Sequence, residues 1–248
     1  MKRIIFVLGT GRSGTHLLGR TISSHPEIEG HIEDPDYFHH AVNIAIKQDI
    51  KNNVYIRIQK KLLLRKYKLL FRKTEAQYIL DKTHPVLWFA EFLKDKLPGA
   101  LFTGIIRNQY QTVSSMLNHS GVLKWYSSLP QNKPNRFLGI TLDNKSYFHT
   151  LPIESKCALR WFSHKKELER LKGVLGDRYI LFDYDHFLQH MDENLDNLSK
   201  FLNVKNHFTP EELKTESLDK WKSFLSSEQI HNIDSAINTE MQYENTKV

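Results

Sequence analysis

Apolar residues along this chain follow two rhythms. Short unbroken runs, RIIFVL (3–8), YILD (78–81), ALFTGIIR (100–107) and RYILF (178–182), alternate with stretches where apolar positions recur every three or four residues. Unbroken runs of that length read as parallel strands covered on both faces, and the second rhythm as amphipathic helices. Helices are predicted over GTHLLGRTISSH, where Leu17, Leu18, Thr21 and Ile22 share a face and the pattern stops before Pro26. A second runs over VLWFAEFLKDKL (86–97), behind a Thr83 cap and a first-turn Pro85. Others cover QYQTVSSML (109–117), ALRWFSHKKELERLK (158–172) and MDENLDNLSKFLNV (191–204). Alternation of this kind predicts an α/β fold of three layers, a central parallel sheet flanked by helices. Two stretches interrupt it. Residues 41–74 read as inserted helix, and 118–152 as a long loop containing Pro, Asn and Ser.

Composition narrows the class. The 248 residues, 40% apolar and 25% charged, suit one domain spanning 1–248 with a sizeable core. Cys157 is the only cysteine, so neither a disulfide framework nor a thiolate metal cluster is expected. Only five apolar residues separate Arg3 from Gly9, too few for a signal peptide or a membrane span, and no later run reaches membrane-spanning length. The expectation is a soluble, cytoplasmic protein. Net charge is +7, and the segment from Ile50 to Thr74 holds nine lysines and arginines and no acid. Zinc-finger spacing and RNA-recognition signatures are missing, which disfavours nucleic acid as partner. With Ile58, Leu62, Leu69 and Leu70 interleaved among the cations, residues 51–73 suit either a solvated helix face or contact with an anionic membrane surface.

The loop GTGRSGTH (9–16) follows the first strand directly. Backbone N–H groups from Gly11 to Thr15 can converge on an anion at the start of the next helix, with Gly9, Gly11 and Gly14 permitting close approach. Arg12 adds a fixed charge, and Ser13 and Thr15 add hydroxyls. The lysine that nucleotide-hydrolysing loops carry after the last glycine is absent; Thr15 and His16 stand there. Downstream, Arg107 ends a strand and Ser115 follows eight residues later on a helix, a pair able to clamp one phosphate, with Ser114 as neighbouring candidate.

TGRSGTHLLGRTISSHPEI resembles the 5′-phosphosulfate loop of sulfotransferases that use 3′-phosphoadenosine 5′-phosphosulfate (PAPS), and GIIRNQYQTVSSML resembles their 3′-phosphate signature. RYILFDYDHFL is similar to the family's late strand and the segment after it, and LDKWKSFLSSEQI to its C-terminal Lys-Trp stretch. The resemblance implies a P-loop NTPase-like sulfotransferase fold and a cofactor site of Gly11, Arg12, Ser13, Gly14, Thr15, His16, Arg107 and Ser115. It implies in-line sulfuryl transfer from PAPS to an acceptor hydroxyl, with Arg12 stabilising charge on the bridging oxygen and no metal. Glu33 stands where several branches place a carboxylate base, although it and Asp34 also suit the cap of a helix starting near Pro35. Lys82 resembles a lysine placed near the sulfuryl group, and His84 the base histidine of other branches. Glu33 is favoured over His84 as base, with burial expected to raise its pKa.

Trp161 and Trp221 read as packing residues, Lys220 as a minor cofactor contact, and His186 and His190 as a surface pair. The acceptor is expected to bind through segments 35–74 and 118–152. Carbohydrate is favoured, with protein tyrosine and small natural products open. Two other readings stand beside this one: a P-loop small-molecule kinase using ATP and Mg²⁺, with Asp183 recruited to the metal, and a non-catalytic anion- or membrane-surface-binding protein.

Overall fold

In the computed structural model, which describes residues 2–210 and 219–246, five parallel strands form one sheet in the order β2-β3-β1-β4-β5. These are β1 (Arg3–Gly9), β2 (Ile28–Ile32), β3 (Tyr78–Lys82), β4 (Ala100–Ile106) and β5 (Tyr179–Asp183). The unbroken run of β1 has the expected cause: Ile4, Ile5, Phe6, Val7 and Leu8 are all fully buried. Alternate residues serve opposite layers. Ile5 and Val7 pack with α1 (Thr15–Ser23) and with α8 (Tyr184–Gln189) and α9 (Met191–Leu202). Ile4, Phe6 and Leu8 pack with α2 (Pro35–Lys47), α3 (Asn53–Lys73), α4 (Ala90–Lys96), α5 (Gln109–Leu117) and the long α7 (Ile153–Leu175). The chain also forms α6 (Ser120–Ser128), α10 (Trp221–Phe224) and α11 (Ser227–Asn245), the last packed on α7.

Several expectations change. Four strands were legible as apolar runs, but β2 was not. Its residues Ile-Glu-Gly-His-Ile make an edge strand with only its end positions apolar, held by pairing with β3 (Ile28 beside Tyr78, Ile32 beside Lys82). The inserted helix of 41–74 is two helices. Asn52 breaks them by capping α3, its side chain accepting from the Tyr55 N–H at 2.8 Å. Thr83 does not cap a helix: its hydroxyl donates to Asp81, and Pro85 opens a 3-10 turn (His84–Phe89) before α4. The loop 118–152 contains α6 and a 3-10 turn, Phe148–Thr150.

Chain order places β1 at the point where the connections diverge, leftward to β2 and β3 and rightward to β4 and β5. The crevice over the carboxyl ends of the strands there is where α/β sheets bind ligands. Behind it, Gly139 adopts φ 82°, and a Cβ at that position would lie 2.5 Å from the backbone N of Arg160 in α7. Gly139→Ala is therefore expected to destabilise by about 1–3 kcal/mol, lowering Tm by roughly 3–10 °C. Gly173→Ala, in α7 with nothing within 4 Å of the added carbon, should instead gain up to about 1 kcal/mol. Thermal melts of the two variants side by side check the contrast; equal melting temperatures would contradict it.

Candidate active site

Between β1 and α1 the loop turns sharply. Arg12 has φ 79° and Gly14 φ 96°, and Ser13 closes the turn by two bonds to the Thr10 carbonyl, from its N–H at 3.1 Å and its hydroxyl at 2.7 Å. The Ser13 hydroxyl was expected to face a ligand. It is buried and donates to the Thr10 carbonyl within the loop, and among the loop's side chains with donors Arg12, Thr15 and His16 line the cavity while Ser13 does not. Gly14 is obligatory for a second reason besides its φ: a Cβ would lie 2.3 Å from the Tyr184 ring. Tyr184, at the start of α8, thus lies directly against the loop.

Arg107 follows β4 and is stacked on that ring, its guanidinium carbon 4.3 Å from the Tyr184 centroid. Its Nε donates to Gln111, whose amide donates on to Asp185 at 3.2 Å, and Trp161 Nε1 donates to the Arg107 carbonyl at 2.8 Å. Trp161 is thus a packing residue that also anchors the backbone of the arginine. Arg12 Nε donates to Ser115 Oγ at 3.1 Å, which ties the first loop to α5. Ser114, the neighbouring candidate, is buried. Arg107, Ser114, Ser115, Lys220 and Trp221 line one end of the crevice, where Trp221 stacks on Tyr110 at 4.8 Å.

Glu33 is the centre of the other end. It directly follows β2 with φ 50°, a backbone conformation rare for a side chain of its kind, and its N–H donates to the Lys82 carbonyl at 3.2 Å. Asp34, not Glu33, caps α2, accepting from the Asp36 N–H at 3.0 Å. One carboxylate oxygen of Glu33 receives a short bond from Lys82 Nζ and lies 3.5 Å from both His84 Nδ1 and His16 Nε2. Burial pulls Glu33 upward, but His84 and the Lys82 ammonium outweigh it and hold the carboxyl down at about 2. The expected upward shift is thereby reversed. Burial also lowers Lys82, against the pull of Glu33. His84 is driven by burial to about 4 despite Glu33, with Lys82 and Arg160 adding to the fall, so the ring is neutral at pH 7. Its Nε2 faces Gly11 of the phosphate loop, 3.2 Å from where a Cβ would stand. His16 is lowered by burial first and by Lys82 next.

These groups share a cavity of about 440 Å³ lined by Gly11, Arg12, Gly14, Thr15, His16, Glu33, Lys82, His84, Arg107 and Ser115. All the expected site residues except the buried Ser13 line it. Phe38 from α2 and His119, Val122 and Trp125 from the α5–α6 region complete the wall, so both segments expected to bind the acceptor reach it. Sequence reasoning missed Tyr184, Trp125 and Arg160. Arg160 is fully buried between the Trp125 and Phe137 rings, 4.3 and 4.4 Å from their centroids, and no nitrogen of its guanidinium has a hydrogen-bond partner among the described residues. The FDYDHF stretch was the signal for Tyr184; nothing local marks Arg160. Away from the cavity, exposed Glu193 joins His186 and His190, with ligand atoms within 4.8 Å of one another, an acidic partner not assigned to that pair from sequence.

No helix among the described residues is long and apolar enough to cross a membrane. Among solved structures, the fold is similar to a sulfotransferase domain from the curacin biosynthetic pathway (14% identity, TM-score 0.57, covering 95% of this chain and 97% of that one). It is also similar to the sulfotransferase domain of the Synechococcus PCC 7002 olefin synthase (16%, 0.56, 95% and 95%) and to a sulfotransferase from Alicyclobacillus acidocaldarius (14%, 0.51, 96% and 96%). At such identities the likeness establishes the P-loop-like sulfotransferase fold. No curated protein sequence matches the chain. A family model described as "Sulfotransferase family" matches residues 4–210, and the chain accordingly belongs to the sulfotransferase family.

Proposed function

We propose that the protein transfers a sulfuryl group from PAPS to an acceptor hydroxyl, with Glu33 as the base. The observation that carries this reading is the convergence of Lys82, His84 and His16 on one oxygen of Glu33, at the edge of the phosphate loop. PAPS supplies an activated sulfuryl group whose bond to the bridging phosphate oxygen breaks as the acceptor oxygen bonds to sulfur. The loop backbone, Arg12 and Thr15 are suited to its 5′-phosphosulfate, and Arg107 and Ser115 to its 3′-phosphate.

The chain's own residues divide the remaining work. Guanidinium does not release its proton near neutral pH, so Arg12 stabilises developing charge and transfers none. Glu33 accepts the acceptor's proton. In the form described, its carboxylate is too well paired to be a strong base, which assigns Lys82 two partners in turn. An ammonium that leaves Glu33 for the sulfuryl oxygens both stabilises the transferring group and releases the carboxylate, whose pKa then rises toward the working range. His84, neutral and beside the same oxygen, orients Glu33. Among acceptors, a carbohydrate is favoured: Phe38 and Trp125 give the cavity aromatic walls, and His119 and His16 give polar partners for hydroxyls.

Three outcomes test this reading. Adenosine 3′,5′-bisphosphate should raise the melting temperature without added metal, and Arg107→Ala should abolish most of the shift; stabilisation by ADP with Mg²⁺ alone would assign the site to a kinase. Glu33→Gln should lower kcat by about 10²–10⁴-fold with little change in affinity for the bisphosphate, and His84→Ala by less. Near-normal turnover in Glu33→Gln with an inactive His84→Ala would transfer the role of base to the histidine. The pH profile has a definite sign. Removing the ammonium in Lys82→Met raises the pKa of both Glu33 and His84, so the acid limb of kcat/KM should move to higher pH; an unmoved limb would show that neither group governs it.

A further inference from the structure

The basic segment singled out in the sequence takes a specific form. α3 is 21 residues long, about 31 Å at 1.5 Å per residue. One side packs into the core through Ile56, Leu63, Leu64 and Tyr67. The opposite side leaves Val54, Ile58, Leu62 and Leu69 exposed at 55%, 50%, 41% and 52%. Half of the eight large apolar residues that are exposed among the described residues lie on this one helix, so the clustering requires a cause. At about 100° per residue these four fall within an arc of roughly 80°. Arg57, Lys61, Arg65, Lys68 and Arg72, all exposed, fall within a similar arc beside and partly overlapping it. The helix contains no acid.

We infer that this face of α3 lies on an anionic lipid bilayer, the aliphatic band set among the acyl chains and the cations at the headgroups. Each half of the pattern restricts the partner. A polyanion such as a nucleic acid or acidic polysaccharide satisfies the cations but offers nothing to four exposed aliphatic side chains. A neutral apolar surface leaves five cations without counter-charge. A bilayer interface supplies both at one depth, because long basic side chains extend from a buried stem to the headgroups. The length of the helix, its straight stripe and the exclusive positive charge match an element lying in the interface plane. α2, packed against α3, begins beside Glu33 and contributes Phe38 to the cavity wall, so docking through α3 would hold the cavity near the membrane surface.

Co-sedimentation of the full chain with vesicles tests the inference, comparing phosphatidylcholine alone with phosphatidylcholine containing phosphatidylserine. Binding to the anionic vesicles only is expected. Each cation near such a surface is worth about fivefold in partitioning, so Arg57→Glu/Lys61→Glu/Arg65→Glu should weaken it by about 100-fold or more. Ile58→Ser/Leu62→Ser should weaken it with the charges intact. Thermal stabilisation of both variants by adenosine 3′,5′-bisphosphate, as in the parent, shows that the fold and donor site survive; that readout is independent of vesicle binding. No sedimentation with anionic vesicles would overturn the inference. So would vesicle binding that the serine variant retains in full, which leaves the aliphatic band without a role, or binding to heparin beads as tight as to the vesicles, which assigns the face to a polyanion.

Discussion

The ion pair between Lys82 and Glu33 holds the cavity end of this molecule together. Lys82 ends β3 and Glu33 directly follows its parallel neighbour β2, and their backbones are also bonded, so side chains and main chain agree on one register. Lys82 is almost completely buried, and burying an ammonium without an anion is costly enough that the pair must form or the lysine must lose its proton. The aliphatic stem of Lys82 runs against α1 at Gly19, where a Cβ would lie 2.8 Å from its Cγ. The pair in turn fixes Glu33 in a left-handed conformation and places its second neighbour, His84, against the phosphate loop. Loop, strand ends and 3-10 turn are thereby one unit.

The parts of this unit were unequally legible. The first loop and the Arg107–Ser115 pair could be picked out as cavity residues because their signals are local: a glycine-framed turn after an apolar run, and two residues eight apart across a strand end. Glu33, Lys82 and His84 were each visible, but separately, Glu33 and His84 as rivals for the base and Lys82 as a cation near the transferred group. Only the pairing of β2 with β3 shows that they meet at a single oxygen, and β2 had no apolar run to betray it. The direction of the Glu33 pKa failed for the same reason, since burial was foreseen and the cation beside it was not. Arg160 is the extreme case. Its setting is made by Trp125, Phe137 and the close approach at Gly139, residues far from it in sequence.

The distribution of acids separates sulfuryl from phosphoryl chemistry on the same fold. A kinase needs a carboxylate available to Mg²⁺ near the transferred group. Each acid near the strand ends is already committed. Asp81 is buried, accepts from the Tyr67 and Thr83 hydroxyls, and is raised by burial to about 6. Asp183, the residue a kinase would recruit, caps α8 by accepting from the His186 N–H at 2.9 Å. Asp185 holds Gln111 and through it Arg107. Glu33, the one carboxylate lining the cavity, is paired with Lys82. What the loop itself brings to the cavity wall is positive: Arg12, whose Nε donates to the neutral Ser115 hydroxyl. Where nucleotide-hydrolysing loops carry a lysine after the last glycine, this chain brings two cations to the cavity from other positions, Lys82 from the end of β3 and the left-handed Arg12 from the loop itself.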